Sequence, residues 1–454
     1  MKKNNIFFAL GTSMVLAISS VAFYAFNVDN SEKKSLNSLS FGAITQGANN
    51  SGVSSLVAQE DQDEEVNEGY LELSSAAPNQ SVNSMSSPNT LTTNGFQGLS
   101  SPEERLLYSK IKKSCHNIGN KDPNEQYYLI NPIVISDHKM EVEKILKVMY
   151  AIQNDHPEYF WLANNFKYVQ ANNYTKIKLH SYFSKEEKEK LVEKLNNRVA
   201  EIVGKMPKNA SEYVKELYCH DYIVTHCKYC KNHSNNEYKS KIFNAYGCLV
   251  EGNAVCEGYT KAMQLLLARF GIESRTVAGY RGKEPHLWNL IKIGGNWYHT
   301  DVTWDEPGAD GNIRYDYFNV TDNIIKKDHT INPQLDPYEP WYPGKRYNFN
   351  LPKCTSTKYN YFERNAVKIN SEQDINKLIP HLIKAATNKN KRVFIMIENN
   401  SELLKNKILS NKIFECARKA NMVLDGRCKI VDNSFSYSIC KNQNVISINL
   451  KYLV

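Results

Sequence analysis

The chain has 454 residues, 41% of them hydrophobic, which is enough for two or three domains with their own cores. Its 56 basic and 48 acidic residues give a net charge of +8 that is spread along the sequence. Because the sequence has no dense block of Lys and Arg with interleaved aromatic residues, the composition argues against nucleic acid as a partner.

The N-terminus has the pattern of an export signal. Lys2 and Lys3 precede residues 6–26, which contain no charged side chain. This apolar run is just long enough to span a bilayer, whereas the small residues 20–22 suit signal cleavage, so residues 1–26 are interpreted as a signal peptide or a membrane anchor. The positive-inside rule then predicts that the rest of the chain is extracytoplasmic, secreted or membrane-anchored at the cell surface.

Composition divides the remaining chain into four segments. Residues 27–100 are rich in Ser, Asn, Gly and Gln, cannot bury enough apolar surface to offset their ordering entropy, and are predicted to form a disordered stalk. Residues 101–208, with Pro102 at the first helical position, are predicted to form a region of helices and strands. Residues 209–350 carry the motifs described below, and residues 351–454 have the alternation of a small α+β domain.

Apolar spacing and capping signals predict the individual elements. The pattern over 140–153 predicts a helix, and Ser184 with Glu187 predicts a capping box that opens a long charged helix. Residues 168–182 are typical of a strand or hairpin, and Ser211 is predicted to cap a further helix. In the C-terminal segment the pattern predicts helices over 371–388 and 403–420 and strands over 392–398, 435–439 and 445–450.

Cys256 is the first residue with a chemical signature. Behind it, apolar residues recur at helical spacing until Gly271, which suits the end of a helix. Cys256 is therefore predicted in the first turn of a buried helix, where unsatisfied N–H groups and the helix dipole stabilise a reactive thiolate. The alternative is that Cys256 is a small buried hydrophobic residue.

Two strands joined by a two-glycine turn are predicted over 286–293 and 296–304. When the residues flanking the turn pair, His286 lies opposite Thr303, and Asp301 lies one diagonal step away on the same face. Diagonal neighbours are close enough for a hydrogen bond between imidazole and carboxylate. The hairpin is thus predicted to present a histidine that a carboxylate orients.

Cys256, His286 and Asp301 together supply a nucleophile, a base and a group that fixes the tautomer of the base. Each has an ordinary structural explanation: a buried thiol, a structural histidine and an aspartate in a turn. Their joint occurrence in this order favours a catalytic triad.

Three segments resemble the catalytic core of the transglutaminase-like superfamily, in its bacterial extracytoplasmic branch. Those segments read NAVCEGY over 253–259, HLWN over 286–289 and WYHTDVTWD over 297–305. The resemblance extends loosely to residues 220–222 and to residues 156–161. It implies an α+β, papain-like core in which the nucleophile helix packs on a small antiparallel sheet.

The resemblance also implies roles for individual residues. Cys256 corresponds to the nucleophile, His286 to the general base and acid, and Asp301 to the orienting carboxylate, with no cofactor and no metal. Leu287 stands where members usually carry a small residue, so the packing beside the base is expected to differ. Tyr246 is a candidate oxyanion donor by proximity, although a packed aromatic ring is the more ordinary expectation.

The implied chemistry is acyl transfer from a peptide or protein amide through a thioester. Hydrolysis by a cysteine peptidase or amidase is the favoured interpretation. A protein-glutamine gamma-glutamyltransferase, which cross-links proteins, uses the same residues and stays open as an alternative. A non-catalytic surface module that binds a partner is the third alternative.

Two other groups of residues suggest a metal or redox site and an aromatic binding surface. A Cys-x-x-Cys motif with flanking histidines suggests zinc or a local redox pair, but helical periodicity and the lack of a second ligand pair favour a structural role. Three tryptophans near the hairpin suit a stacking surface, but more often line a core and a groove. The two sets are His220, His226, Cys227, Cys230 and His233, and Trp288, Trp297 and Trp304.

Overall fold

The computed structural model describes residues 23–24, 40–41, 93–123, 125–137, 139–231, 241–308, 311–331, 348–398, 407–424, 426–432 and 435–453. Most of the predicted export segment and of the predicted stalk lies outside the described residues. Two short strands from those segments, Phe23–Tyr24 (β1) and Ser40–Phe41 (β2), pair antiparallel. Within the described ranges, no helix combines the length and the apolar composition needed to cross a membrane.

Folded structure begins before Ser101, so the predicted boundary of the stalk is a few residues late. The short helix Asn94–Gln97 (α1) is anchored because the backbone N–H groups of Gly95 and Phe96 each donate to the Asp155 carboxylate at 2.8 Å. These two bonds satisfy helix N–H groups that have no partner inside a helix.

The N-terminal region contains three long helices and an antiparallel sheet with strand order β3-β4-β6-β5, and α2 packs on β4. The capping boxes at Ser101 and Ser184 are both present, which confirms the helix starts predicted from the sequence. The hairpin predicted over 168–182 is also present, but its first strand begins earlier. The elements are α2 (Pro102–Ser114), β3 (Ile118–Lys121), β4 (Tyr128–Ser136), α3 (Val142–Asp155), β5 (Leu162–Ala171), β6 (Tyr174–Ser181) and α4 (Lys185–Gly204).

The following segment places two long helices beside a second antiparallel sheet with strand order β11-β10-β9-β12. Ser211 caps the first of these helices, as predicted. The elements are α5 (Glu212–His226), β7 (Lys228–Tyr229), a π-helical turn (Gly247–Glu251), β8 (Asn253–Ala254), α6 (Cys256–Arg269), β9 (Ser274–Arg281), β10 (Glu284–Ile293), β11 (Asn296–Thr300), α7 (Asp322–Ile325) and β12 (His329–Ile331).

A third sheet, with strand order β13-β14-β16-β15, forms the C-terminal part of the fold. Strands β13 and β14 run parallel, and the other pairs run antiparallel. Helices beside antiparallel and mixed sheets confirm the predicted α+β class. The elements are α8 (Tyr361–Asn365), β13 (Ala366–Ile369), α9 (Leu378–Thr387), β14 (Arg392–Ile397), α10 (Lys407–Asn421), β15 (Ser436–Cys440) and β16 (Val445–Asn449).

Buried apolar side chains of the described residues form four clusters, and two of these are large cores. Leu107 of α2, Phe166 of β5 and Leu266 of α6 belong to one continuous core, so the N-terminal region and the helix that begins at Cys256 are packed as one body. Leu382 of α9 and Ile395 of β14 belong to the other core, which lies within the C-terminal part. The start of α6 is therefore fixed from behind by a rigid, close-packed surface.

Gly279 of β9 lies where three strands come together behind His286. It pairs with His286 on β10 and with Ile331 on β12, and an added Cβ would meet the Thr330 carbonyl oxygen and lie 2.8 Å from the Trp288 ring. We expect Gly279→Ala to lower the free energy of unfolding by about 2 kcal/mol or more, because the backbone of β12 must move.

Thermal or urea unfolding of the intact protein measures this effect. Gly204→Ala is the matched control, since a Cβ at the end of α4 meets nothing within 4 Å. We expect the control to be neutral or slightly stabilising, because Ala is the better helix former. Equal stability of the two variants would contradict the tight approach of β9 and β12.

Candidate active site

Cys256 is the first residue of α6, as predicted, with Val255 in the capping position. Its side chain is 3% exposed. The backbone of the preceding segment approaches closely here: the Val255 N–H donates to the Ile242 carbonyl at 3.0 Å, and a Cβ on Gly258 would lie 2.6 Å from that same oxygen. Glycine at this position therefore lets the loop before α6 close over the helix start, with the thiol in the first turn.

His286 lies on β10 beside the start of α6. Its Nε2 atom is 2.7 Å from Oδ2 of Asp301, which leaves Nδ1 without a contact to that carboxylate, and Cys256 is near enough to affect the pKa of the ring. Burial disfavours protonation of His286, but the charge and hydrogen bond of Asp301, together with Cys256, outweigh burial and raise the pKa of His286 to about 10. The Trp288 ring stacks on the imidazole with 5.8 Å between ring centroids and 16° between planes.

Asp301 occupies a turn rather than the strand predicted to continue to residue 304. Strand β11 ends at Thr300, although the predicted register is confirmed by the pairing of Ile293 with Asn296. The reason is local: Oδ1 of Asp301 accepts the backbone N–H groups of Thr303 at 3.1 Å and Trp304 at 3.3 Å, which turns the chain out of the sheet. His286 and Thr303 therefore do not face each other across the two strands, contrary to the prediction.

The Asp301 carboxylate is completely buried and ionised. Burial alone would raise its pKa, but the charge and hydrogen bond of His286, and a second histidine bond from His329, hold the pKa well below its ordinary value. The histidine–carboxylate contact that the sequence predicted across the diagonal is thus present, although a turn rather than a strand supplies the carboxylate.

Two residues near these three were missed by the sequence interpretation. His329 of β12 has its Nε2 atom 3.0 Å from the same Oδ2 atom of Asp301. Tyr229 of β7 lies close enough to Cys256 that burial and the charge of the thiol raise the pKa of its phenol. His329 belongs to no motif, and Tyr229 is an intervening residue of the Cys-x-x-Cys motif; only the tertiary fold brings them to the site.

A second buried pair fixes the turn after Asp301. His220 of α5 has Nε2 3.1 Å from Oδ2 of Asp305 and Nδ1 2.9 Å from Oδ1 of Asp221. Burial opposes protonation of His220, but hydrogen bonds and charges of the two carboxylates raise its pKa. Because Asp305 also accepts the Tyr317 N–H at 3.0 Å, the pair connects α5 to the end of the turn and to the chain at Tyr317.

The Cys-x-x-Cys motif gathers no cluster of ligands among the described residues. His220 is engaged by two carboxylates, His226 is exposed, and His233 lies outside the described residues. All ten cysteines lie in the described part and are free thiols. The described groups whose donor atoms lie close enough to hold a metal ion are His286–Asp301–His329, His299–Asp322–Cys354 and Asp122–Glu125–His180.

The aromatic candidates occupy different environments. Tyr246 is buried and packs on Phe160 with 5.6 Å between ring centroids, as an ordinary core residue does. Trp288 is buried behind His286, whereas Trp304 is 38% exposed and carries the Arg281 guanidinium 3.2 Å from its ring centre. The three tryptophans therefore do not form one stacking surface.

Residues 197–302 match the family model of the transglutaminase-like superfamily, and this range contains Cys256, His286 and Asp301. The match covers less than half of the chain, and it confirms for this segment the resemblance seen in the sequence motifs. No curated protein matches the chain.

Two solved structures are similar to parts of the chain. A protein from Cytophaga hutchinsonii assigned as a cysteine protease is 20% identical over 32% of this chain and 56% of its own, with a TM-score of 0.21. A structure described as a TGase is 15% identical over 39% of this chain and 52% of its own, also with a TM-score of 0.21. This chain spans about half the length of either protein.

Proposed function

We propose that this chain, of which residues 197–302 match the transglutaminase-like superfamily, is a thiol enzyme that hydrolyses peptide or protein amides at the cell surface. Cys256 is the proposed nucleophile, His286 the general base and acid, and Asp301 the orienting carboxylate. One observation supports the assignment above all others: Nε2 of His286 is 2.7 Å from a carboxylate oxygen of Asp301, while Cys256 is near enough to affect the pKa of the same ring.

The proposed reaction begins when the Cys256 thiolate attacks an amide carbonyl carbon. A C–S bond forms, and backbone N–H groups at the start of α6 stabilise the charge that develops on the oxygen. His286, protonated at neutral pH, gives its proton to the leaving amine as the C–N bond breaks, which leaves a thioester. A water molecule that gives one proton back to His286 then attacks the thioester carbonyl, and the C–S bond breaks to release the acid and restore the Cys256 thiolate beside the protonated His286.

Hydrolysis and surface location are the finer parts of the proposal. Water is far more concentrated than any amine, so hydrolysis is the default outcome unless a groove excludes water. The uncharged run over residues 6–26 behind Lys2 and Lys3 supports export and a peptide or protein substrate outside the cell. The coarser assignment to a family of cysteine-dependent enzymes does not depend on either part.

The first test needs no substrate. The rate of Cys256 alkylation by iodoacetamide is followed across pH by mass spectrometry of the peptide that contains it. We expect Cys256 to react rapidly at pH 6, with at least a tenfold loss of that rate in His286→Ala, because the imidazolium stabilises the thiolate. Cys219, buried in the same domain, serves as the internal control and is expected to stay unlabelled. If Cys256 is alkylated slowly and the rate is unchanged in His286→Ala, the proposed triad is wrong.

A second test separates hydrolysis from cross-linking. A protein substrate mixture is incubated with the enzyme and a labelled primary amine, and the products are identified by mass spectrometry. Cleavage or deamidation without label is the expected result. Incorporation of the amine as the main product would replace the hydrolase with a transferase that uses the same three residues.

A further inference from the structure

The Asp301 carboxylate is shared by two histidines. His329 of β12, almost fully buried, has Nε2 3.0 Å from the same Oδ2 atom that His286 contacts, and its Nδ1 is 2.7 Å from Oδ1 of Asp328. The His329 ring therefore bridges two carboxylates. It also packs edge-on against Trp288, the ring that stacks on His286.

Both carboxylates that contact His329 have lowered pKa values. Asp301 is ionised, as described above. Burial would raise the pKa of Asp328, but hydrogen bonds from Tyr317, His329 and Asn442 hold it below its ordinary value. Because an ionised carboxylate only accepts hydrogen bonds, both contacts of the ring are hydrogen bonds when each nitrogen of His329 carries a proton.

We propose that His329 is a positioning residue for the triad: it holds the Asp301 carboxylate in place and, as a fixed positive charge, limits the pull of that carboxylate on the His286 proton. This inference rests on the proposed function of Cys256, His286 and Asp301. A general acid must release its proton to the leaving amine, and a carboxylate that served His286 alone would retain that proton more strongly.

Charged and titratable groups from several elements lie around His329 and its two carboxylate partners. Arg281 reaches Asp328 at 3.5 Å, and His299 on β11 is occupied by Asp322 at 2.9 Å. Removing the His329 charge therefore leaves Asp328 without its nearest cation, and the local potential becomes more negative. The titratable and charged groups that face His329 or its carboxylate partners are Asp301, Asp328, His286, His299, Arg281 and Tyr317.

His329→Gln isolates the charge, because a glutamine amide can still donate to Asp301. The measurement is the pH profile of Cys256 alkylation in the full-length protein, fitted with an acid and an alkaline midpoint. We expect both midpoints to move to higher pH by about one unit, because a cation within ~4–6 Å is lost. A more negative surrounding disfavours the thiolate and favours the imidazolium of His286.

His299→Gln is the matched control, because it removes another buried histidine of the same sheet that contacts a carboxylate other than Asp301. We expect it to lower thermal stability without moving either midpoint. His329→Asn carries the same neutral amide on a shorter side chain and repeats the test if His329→Gln does not fold.

The outcomes distinguish a failure of the role given to His329 from a failure of the proposed function. Wild-type reactivity that depends on His286, with both midpoints displaced in the His329 variant, supports the inference. The same wild-type reactivity with midpoints unchanged overturns the role of His329 and leaves the triad intact. A wild-type Cys256 that is inert and insensitive to His286→Ala overturns the proposed function itself.

Discussion

Cys256→Ala is expected to reduce amide hydrolysis by at least 10³-fold while the fold stays intact. The whole covalent step depends on this sulfur, and what remains after loss of a nucleophile is the modest catalysis due to binding and the oxyanion site. The thiol is small and lies in the first turn of α6, so its removal leaves only a small cavity. Single-turnover kinetics with a cleavable peptide, alongside a thermal melt, measures both quantities.

The control for this prediction is a second buried cysteine far from the site in sequence and core. Cys416 of α10 belongs to the C-terminal core, where its thiol donates to the Ile375 carbonyl at 3.4 Å. Cys416→Ala is expected to keep its activity while it loses some stability. If both variants kept full activity, Cys256 would not be the nucleophile, and the nucleophile would have to be sought elsewhere.

Asp301→Ala is expected to damage both activity and stability. Its carboxylate accepts hydrogen bonds from two buried histidines and two backbone N–H groups, all of which lose their acceptor. Breaking a buried ion pair by removing one partner costs about 3–5 kcal/mol. Hydrolysis should fall by about 10³-fold, because His286 loses the group that fixes its orientation.

The pH dependence of this stability loss has a definite sign. The lowered pKa of Asp301 stabilises the fold above the unfolded value of about 3.9, and this contribution disappears as pH falls below it. The raised pKa of His286 stabilises the fold below about 6.5 in the unfolded chain, and this contribution is lost as pH rises towards about 10.

The difference in unfolding free energy between wild type and Asp301→Ala should therefore be largest between about pH 4 and pH 6.5. Urea unfolding at pH 3, 5.5 and 9 measures it. Asp301→Asn, which keeps the shape and an acceptor oxygen, should lose less stability at every pH. A difference that is constant with pH would mean that the buried charges do not contribute.

The parts of the site encoded locally were predictable. The apolar spacing behind Cys256 identified the helix and its start, and the two glycines after Ile293 identified the turn and its register. The capping box at Ser184 and Pro102 at a first helical position likewise marked helix starts from a few residues of sequence. In each case neighbours along the chain determine the geometry, so the sequence pattern carries the information.

Where prediction failed, a competing local bond or a distant residue was responsible. The pattern of β11 continues past Thr300, but the Asp301 side chain captures the backbone N–H groups that another strand residue would have used. The helix predicted over 371–388 is split into a 3-10 turn, Gln373–Lys377, and α9. Pro380 explains the split, because it lacks an N–H and is tolerated only in a first helical turn. His329 had no signal, since only sheet pairing brings it to Asp301.

The hydrogen bond between Asn442 and Asp328 joins the C-terminal part of the fold to the segment that precedes β12. Asn442 follows β15 in the C-terminal part, and its amide donates to Oδ2 of Asp328 at 2.9 Å, while the next residue, Gln443, donates to the Asp316 carbonyl at 2.7 Å. Asp328 and His329 thus connect the last sheet of the chain to the carboxylate of Asp301. We therefore expect that removing or exchanging this sheet would disturb Asp328, His329 and the carboxylate of Asp301.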